Sequence, residues 1–258
     1  MGRKSSMTIQ SLLPYPKDEY IELFKNFYGE INGPDSFDEV KEWASEKWSA
    51  TVNCSRGKVL EKAGFSRVHL VGGVLNESPG DISLFETIAY PTNPRIPGFI
   101  IMTNMHTTKA TGNIVVFYTD LIIQDGAAHR AAKELFSAIL KNICERHGQD
   151  FEQHKAMITG RGLLGGNGGE CGFMNFFEEK DIAFLEDIIK EVLPAYKTII
   201  EQHQHDTPHN EDYEKMDRFR ARLIEWIILE DYGIQVAREN GILSEVVEAY
   251  GFPPTIRY

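Results

Sequence analysis

The chain has 258 residues and a formal charge of −11, from 27 Lys+Arg against 38 Asp+Glu. Its 42% hydrophobic and 25% charged content is that of a folded globular protein and excludes a disordered chain. The acidity argues against broad binding to a nucleic-acid backbone, which needs a cationic surface to displace counterions. No apolar run reaches the roughly 18–20 residues of a membrane-spanning helix. The N-terminus is polar and proline-bearing and lacks the apolar stretch of a secretory signal. Cys54, Cys144 and Cys171 form neither a zinc-finger spacing nor a disulfide framework, which fits a reducing cytoplasm. The expectation is a cytoplasmic protein with no membrane and no nucleic-acid partner.

Residues 1–15 read as a loose segment and residues 16–258 as a single domain. Beyond Pro16, Tyr20, Leu23, Phe24 and Phe27 recur on one helical face. Asn32-Gly33-Pro34 breaks that helix, and Asp35 or Ser36 is placed to cap a second one reaching about Trp48. The period then changes. Residues 67–74, 84–90, 98–107 and 113–123 are rich in Val, Ile, Phe, Tyr and Thr, and Gly, Pro and Asn separate them, as in successive antiparallel strands. Residues 108–112 join the last pair as a hairpin. The helical period returns with Ala128, Ala132, Leu135, Phe136, Ile139, Leu140 and Ile143, and stops at His147-Gly148. A glycine-rich stretch at 160–169 leads into a short strand at 172–178, then helices over 180–203 and 212–229. Strands grouped in the middle with helices before and after predict an α+β fold, a broad antiparallel β-sheet flanked by α-helices. Strand 98–107 is apolar at both parities, so the sheet needs cover on each face.

The glycine-rich stretch lacks a terminal Gly-Lys-Ser/Thr and is followed by a strand, which argues against phosphate binding and favours a flap over a pocket. Histidines gather at 203–209, but in a polar, proline-containing loop without fixed-face spacing, so no metal site is expected. There is no nucleophile elbow, and Cys171 reads as a small packing residue. The strands are more informative. Ile100, Met102, Asn104 and His106 share one parity, and Tyr118 and Asp120 share another on the next strand. A carboxylate in so apolar a strand is costly to ionise unless paired. For Asp120, a structural salt bridge or exposed strand end and a carboxylate in a pocket are equally weighted readings.

Several segments, in order, are similar to one family. These are Gly57-Lys58-Val59-Leu60-Glu61-Lys62-Ala63-Gly64, Tyr90-Pro91-Thr92-Asn93-Pro94-Arg95-Ile96-Pro97, Asp120-Leu121, Phe176-Phe177-Glu178-Glu179, Val192-Leu193-Pro194-Ala195-Tyr196 and Pro253-Pro254-Thr255-Ile256-Arg257-Tyr258. Across residues 45–258 the chain resembles the aerobic, oxygen-dependent coproporphyrinogen III oxidases. The resemblance implies a coproporphyrinogen oxidase-like sheet with flanking helices, a homodimer, and chemistry with molecular oxygen as co-substrate and no metal or organic cofactor. The family decarboxylates propionates oxidatively to vinyl groups.

The departures fall in the pocket. Ile100, Met102 and Asn104 stand where the family has His, Asn and Arg, and Cys171 replaces an arginine. Glu230-Asp231-Tyr232-Gly233 keeps an acid and loses the arginine after it. Each lost arginine contact removes about 1.5–3 kcal/mol from binding a polyanion. The resemblance so modified implies an oxygen-using enzyme acting on a small, less anionic aromatic or pyrrole-like carboxylic acid. In that reading Asp120 accepts a proton or holds a heterocyclic N–H, and Asn104 and His106 orient the substrate. Tyr118, Met102, Ile100 and Asp231 line the pocket, and Arg161 or Arg220 binds the carboxylate. The alternatives are a true coproporphyrinogen III oxidase using Arg67, Arg95 and Lys109 instead, and a non-catalytic tetrapyrrole or small-molecule binding protein.

Overall fold

The computed structural model describes residues 18–75, 78–108, 112–158, 171–229, 231–242 and 244–255. The expected loose segment 1–15 lies outside them. Among the described residues, the β-branched and aromatic middle of the chain forms a seven-stranded antiparallel sheet in sequence order. Its strands are β1 (Lys41–Ala44), β2 (Trp48–Ser55), β3 (Leu60–Leu75), β4 (Ser78–Pro91), β5 (Gly98–Thr108), β6 (Gly112–Ile122) and β7 (Phe173–Glu178). Helix α1 (Asp18–Asn32) precedes the sheet, and α2 (Arg130–Arg146) and α3 (Phe151–Ala156) lie between β6 and β7. After β7 come α4 (Ile182–His203), α5 (Asn210–Leu229), α6 (Tyr232–Glu239) and α7 (Ser244–Tyr250). The α+β expectation holds.

One expected element is wrong. No helix runs from Ser36 to Trp48: a short turn at Pro34–Ser36 is followed by β1, and Trp48 opens β2. The reason lies in the residues that follow. Trp48, Ala50, Val52 and Cys54 alternate and are buried, a period of two that β3 locks by pairing Val52 with Ser66 and Ala50 with Val68. Ser36 does not cap a helix; its hydroxyl shares a 2.7 Å hydrogen bond with Ser55. The strands expected at 67–74 and 84–90 are the inner parts of the longer β3 and β4, whose ends extend past the apolar runs that mark them.

Because side chains alternate, each strand feeds two cores. Phe65, Phe85, Phe99, Ile101 and Phe117 point to one face, packed with residues of α1, α2, α3 and α4. There Tyr196 of α4 stacks on Phe99 at 4.7 Å between ring centres and donates a 3.1 Å hydrogen bond to the Pro97 carbonyl. Trp48, Val52, Val68, Leu70, Ile82, Ile88 and Tyr90 point to the opposite face, under Leu223 of α5, Val236 of α6 and Val246 of α7. The first face is covered throughout, whereas on the second face α5, α6 and α7 lie mainly over β2, β3 and β4 and leave Ile100, Met102 and Asn104 of β5 half-buried. On the second face β6 and β7 carry half-buried Val116, Tyr118 and Met174, and Phe176 is 52% exposed.

The C-terminal segment is tied down on that second face. The buried amine of Lys62 donates to the carbonyls of Glu248 (3.0 Å) and Phe252 (2.8 Å), so a cation sits at the negative end of α7. Burial lowers this amine to about 8. The Cys54 thiol donates to the Ala249 carbonyl at 2.7 Å and Tyr90 to the Gly251 carbonyl at 2.5 Å. Lys62→Met removes two hydrogen bonds from this tie. Amide exchange in residues 246–252 is expected to accelerate about tenfold, equivalent to about 1.4 kcal/mol, while the central strands keep their protection. Unchanged exchange would show that apolar packing alone holds α7.

Candidate functional site

The ladder between β5 and β6 sets Ile100 opposite Asp120, Met102 opposite Tyr118, Asn104 opposite Val116 and His106 opposite Ile114. All six residues singled out on these strands therefore share the second face. β4 adds Ile88 beside Ile100 and Glu86 beside Met102, and β7 adds Met174 beside Tyr118.

Sharing a face is not the same as meeting. His106 lies six residues along the strand from Ile100, about 20 Å at the usual rise, and Asn104 about 13 Å. His106 is buried at the far end, where Gly80 leaves room for its ring; a Cβ there would press on Nε2. Asn104 is half-buried, and its amide lies 3.6 Å from the Met102 sulfur. The expected convergence of His106, Asn104 and Asp120 on one small substrate is therefore corrected. Asp120, Ile100, Met102 and Tyr118 form one neighbourhood, Asn104 borders it, and His106 stands apart.

Asp120 is 1% exposed, one residue past the last β6–β7 pair, Thr119 with Phe173. The chain entering β7 wraps this end of β6. Gly172 passes so close to Thr119 and Asp120 that a Cβ would overlap the Thr119 carbonyl oxygen, so only glycine fits. That approach lets the Cys171 thiol donate to Asp120 Oδ1 at 2.9 Å, where the Leu121 N–H also donates at 2.8 Å. Oδ2 has no partner among the described residues. Burial pushes the carboxyl up to about 6, against the lowering effect of the Cys171 thiol and the nearby backbone N–H groups.

The phenol of Tyr118 marks what surrounds this carboxyl. Burial raises it well above its ordinary range, and the charges of Asp120, Cys171, Glu86 and Asp231 raise it further. Asp231 acts on it only as a charge, from the start of α6, where its Oδ1 accepts the Ile234 N–H at 2.8 Å and caps the helix. Glu86 and Cys171 are the residues that sequence reasoning missed. Glu86 carried a signal equal to that of Asp120, a carboxylate inside an alternating apolar strand. Cys171 carried only its place in the resemblance, at the position of a pocket arginine, and was read as a packing residue because its link to Asp120 depends on the β6–β7 pairing.

Arg220 does not serve as a free anion receptor. It is 3% exposed, donates to Glu61 Oε2 at 2.8 Å and to the Pro91 carbonyl at 2.9 Å, and lies over the Tyr90 ring. Glu61 also accepts from Thr255 at 2.6 Å, so this arginine joins α5, β3 and the C-terminal segment. Beside it is a narrow crevice lined by Tyr90, Gly98, Ile122, Gln124 and Phe219, with room for about one water molecule. Arg161 and Lys109 lie outside the described residues, as does the glycine-rich stretch read as a flap. Arg67 pairs with Phe85 on the opposite face from Asp120, and Arg95 is engaged by Asp212 at 2.9 Å. Among the described residues no group of three His, Cys, Asp or Glu is placed to hold a metal ion, and no helix is long and apolar enough to cross a membrane.

No protein-family model matches the chain, and no curated protein matches it.

The raised carboxyl has a thermodynamic consequence with a definite sign. A folded pKa of about 6 against an ordinary 3.8 means that ionising Asp120 opposes folding. The penalty is absent below the ordinary value and grows as pH rises through the interval to about 6, reaching about 3 kcal/mol above it. Asp120→Asn is therefore expected to raise the melting temperature at neutral pH, with the gain shrinking to nothing near the ordinary carboxyl pKa. Thermal denaturation across this range measures it, and a gain that does not vary with pH would contradict the assigned ionisation.

Proposed function

We propose that this protein is a cofactor-independent, oxygen-using oxidase of a pyrrole-like or similar N–H-bearing aromatic carboxylic acid, a divergent relative in fold and chemistry of the coproporphyrinogen III oxidases. The observation that carries the reading is Asp120. It is a buried carboxyl whose Oδ1 accepts two hydrogen bonds and whose Oδ2 has no partner among the described residues, near half-buried Met102, Tyr118 and Met174. A ring N–H is the matching donor for Oδ2, and the thioether and aromatic side chains suit the flat face of such a ring. A carboxyl titrating near 6 can hold or release a proton at physiological pH. The pocket arginines of the family are replaced here, and Arg220 is committed to Glu61, so a polyanionic substrate is disfavoured.

In the reaction the ring-attached carbon of a propionate-type arm gives a hydride to dioxygen. The C–C bond to the carboxylate breaks to release carbon dioxide, and its electron pair forms the vinyl double bond. A solvent proton completes hydrogen peroxide. Asp120 holds the ring N–H and stabilises the positive charge that develops on the electron-rich ring as the hydride leaves.

A second reading, a non-catalytic binder of the same ligand class, is favoured by one observation: His106 lies about 20 Å from Asp120 and cannot assist it. Titration of the protein with indole-3-propionate and pyrrole propionates, together with an oxygen electrode, separates the two. The oxidase reading expects oxygen uptake matched by carbon dioxide and peroxide, lowered about a hundredfold or more in Asp120→Asn. Binding that needs Asp120 but consumes no oxygen supports the binder. Absence of both binding and uptake overturns the site.

A further inference from the structure

We propose that Cys171 is the positioning residue of this site: its thiol holds Asp120 Oδ1, so that Oδ2 is the oxygen offered to a ligand. The proposal rests on the reading of Asp120 as a ligand acceptor for its consequence, though not for its geometry.

The geometry has three parts. First, Cys171 is completely buried and its thiol stands 2.9 Å from Oδ1, as a donor to an acceptor already shared with the Leu121 N–H. Second, the donor is held from outside the sheet: the Cys171 carbonyl accepts the Ser137 hydroxyl of α2 at 2.9 Å, and Gly172 leaves no room for the chain to shift toward β6. Third, the other oxygen of the same carboxyl is buried and unpartnered among the described residues. A carboxylate has about four lone-pair sites; here the Cys171 thiol and the Leu121 N–H meet Oδ1, the Gly172 and Cys171 N–H groups lie close by, and no donor among the described residues meets Oδ2 in hydrogen-bonding geometry. Such asymmetry costs stability, and a ligand N–H would relieve it.

The thiol is kept in the donor form. Burial and the adjacent Asp120 charge raise it well above its ordinary range, with Lys133 of α2 acting weakly in the opposite sense. It is therefore held as the protonated donor at neutral pH. The charged groups near the pair are Lys133 from α2, which acts on the thiol, and Glu86 from β4 and Asp231 from the start of α6, which act on the neighbouring Tyr118 of β6. Of these, only Lys133 would oppose a rise in the Asp120 titration when the thiol is removed.

The test needs no ligand. Asp120 is titrated by carbon NMR in carboxyl-labelled protein, with its signal assigned by loss in Asp120→Asn, and the thiol is followed by its infrared S–H stretch. In the wild-type protein the S–H stretch should move as the carboxyl titrates near 6. In Cys171→Ala the carboxyl titration should rise by about one unit, a tenfold gain in proton affinity, and Cys171→Ser should return it to within a few tenths. An S–H stretch that ignores the carboxyl titration overturns the proposal, even if Cys171→Ala fails to fold. So does an unshifted titration in a folded Cys171→Ala. Calorimetry with indole-3-propionate then separates the two levels. Shifted titration without binding keeps the role of Cys171 and sinks the ligand reading, while binding with an unshifted titration does the reverse.

Discussion

Everything in this molecule hangs on the register of the β5–β6 ladder. Gly98 faces Ile122 and the pairing runs without a break to Thr108 opposite Gly112. Side chains alternate across it, so that Phe99, Ile101, Phe117 and Leu121 enter the core under α2 and α4 while Ile100 and Asp120 enter the opposite layer. A slip of one residue would exchange those sets, driving Asp120 into an all-apolar core and Leu121 out of it. The Phe99–Tyr196 stack and the Tyr196 bond to Pro97 pin one end of β5, and with it the register on which the site depends.

With 38 acidic residues against 27 Lys and Arg, cations are scarce, and several are committed to holding the fold. Arg220 answers Glu61, Lys62 answers the end of α7, and Arg95 answers Asp212. The site itself is left with Asp120, Glu86 and Asp231 around a phenol. Keeping Asp120 there opposes folding at neutral pH, and the apolar burial on both faces of the sheet offsets that cost. A fold that tolerates such an expense in its interior, with one oxygen unpartnered among the described residues, is consistent with a use for that oxygen.

The strands at 98–107 and 113–123 and the stripe of α2 were legible in the sequence because burial on a regular element writes a period of two or of 3.6 into the residues. Asp120 and Tyr118 were legible for the same reason, as polar interruptions of an apolar alternation. The segment before Trp48 was misread because its local signals, a break followed by capping residues, are common to helices and turns. Only pairing with β3 selects the strand. His106 was grouped with Asp120 because parity reports the face and says nothing of distance along it. Arg220 was offered to a ligand because its partner, Glu61, is 159 residues away.

By itself the sequence determined an α+β chain with a central antiparallel sheet and singled out Asp120 as a carboxylate in an apolar strand, while leaving open whether it is paired, exposed or in a pocket. Those properties follow from local periodicity and from the energetics of burying charge. Tertiary structure decided which of the polar residues meet. The turn of chain through Gly172 brings Cys171 onto Asp120, the strand rise takes His106 away from it, and long-range pairing removes Arg220. These are facts of distance between segments remote in sequence, and no local pattern of residues encodes them.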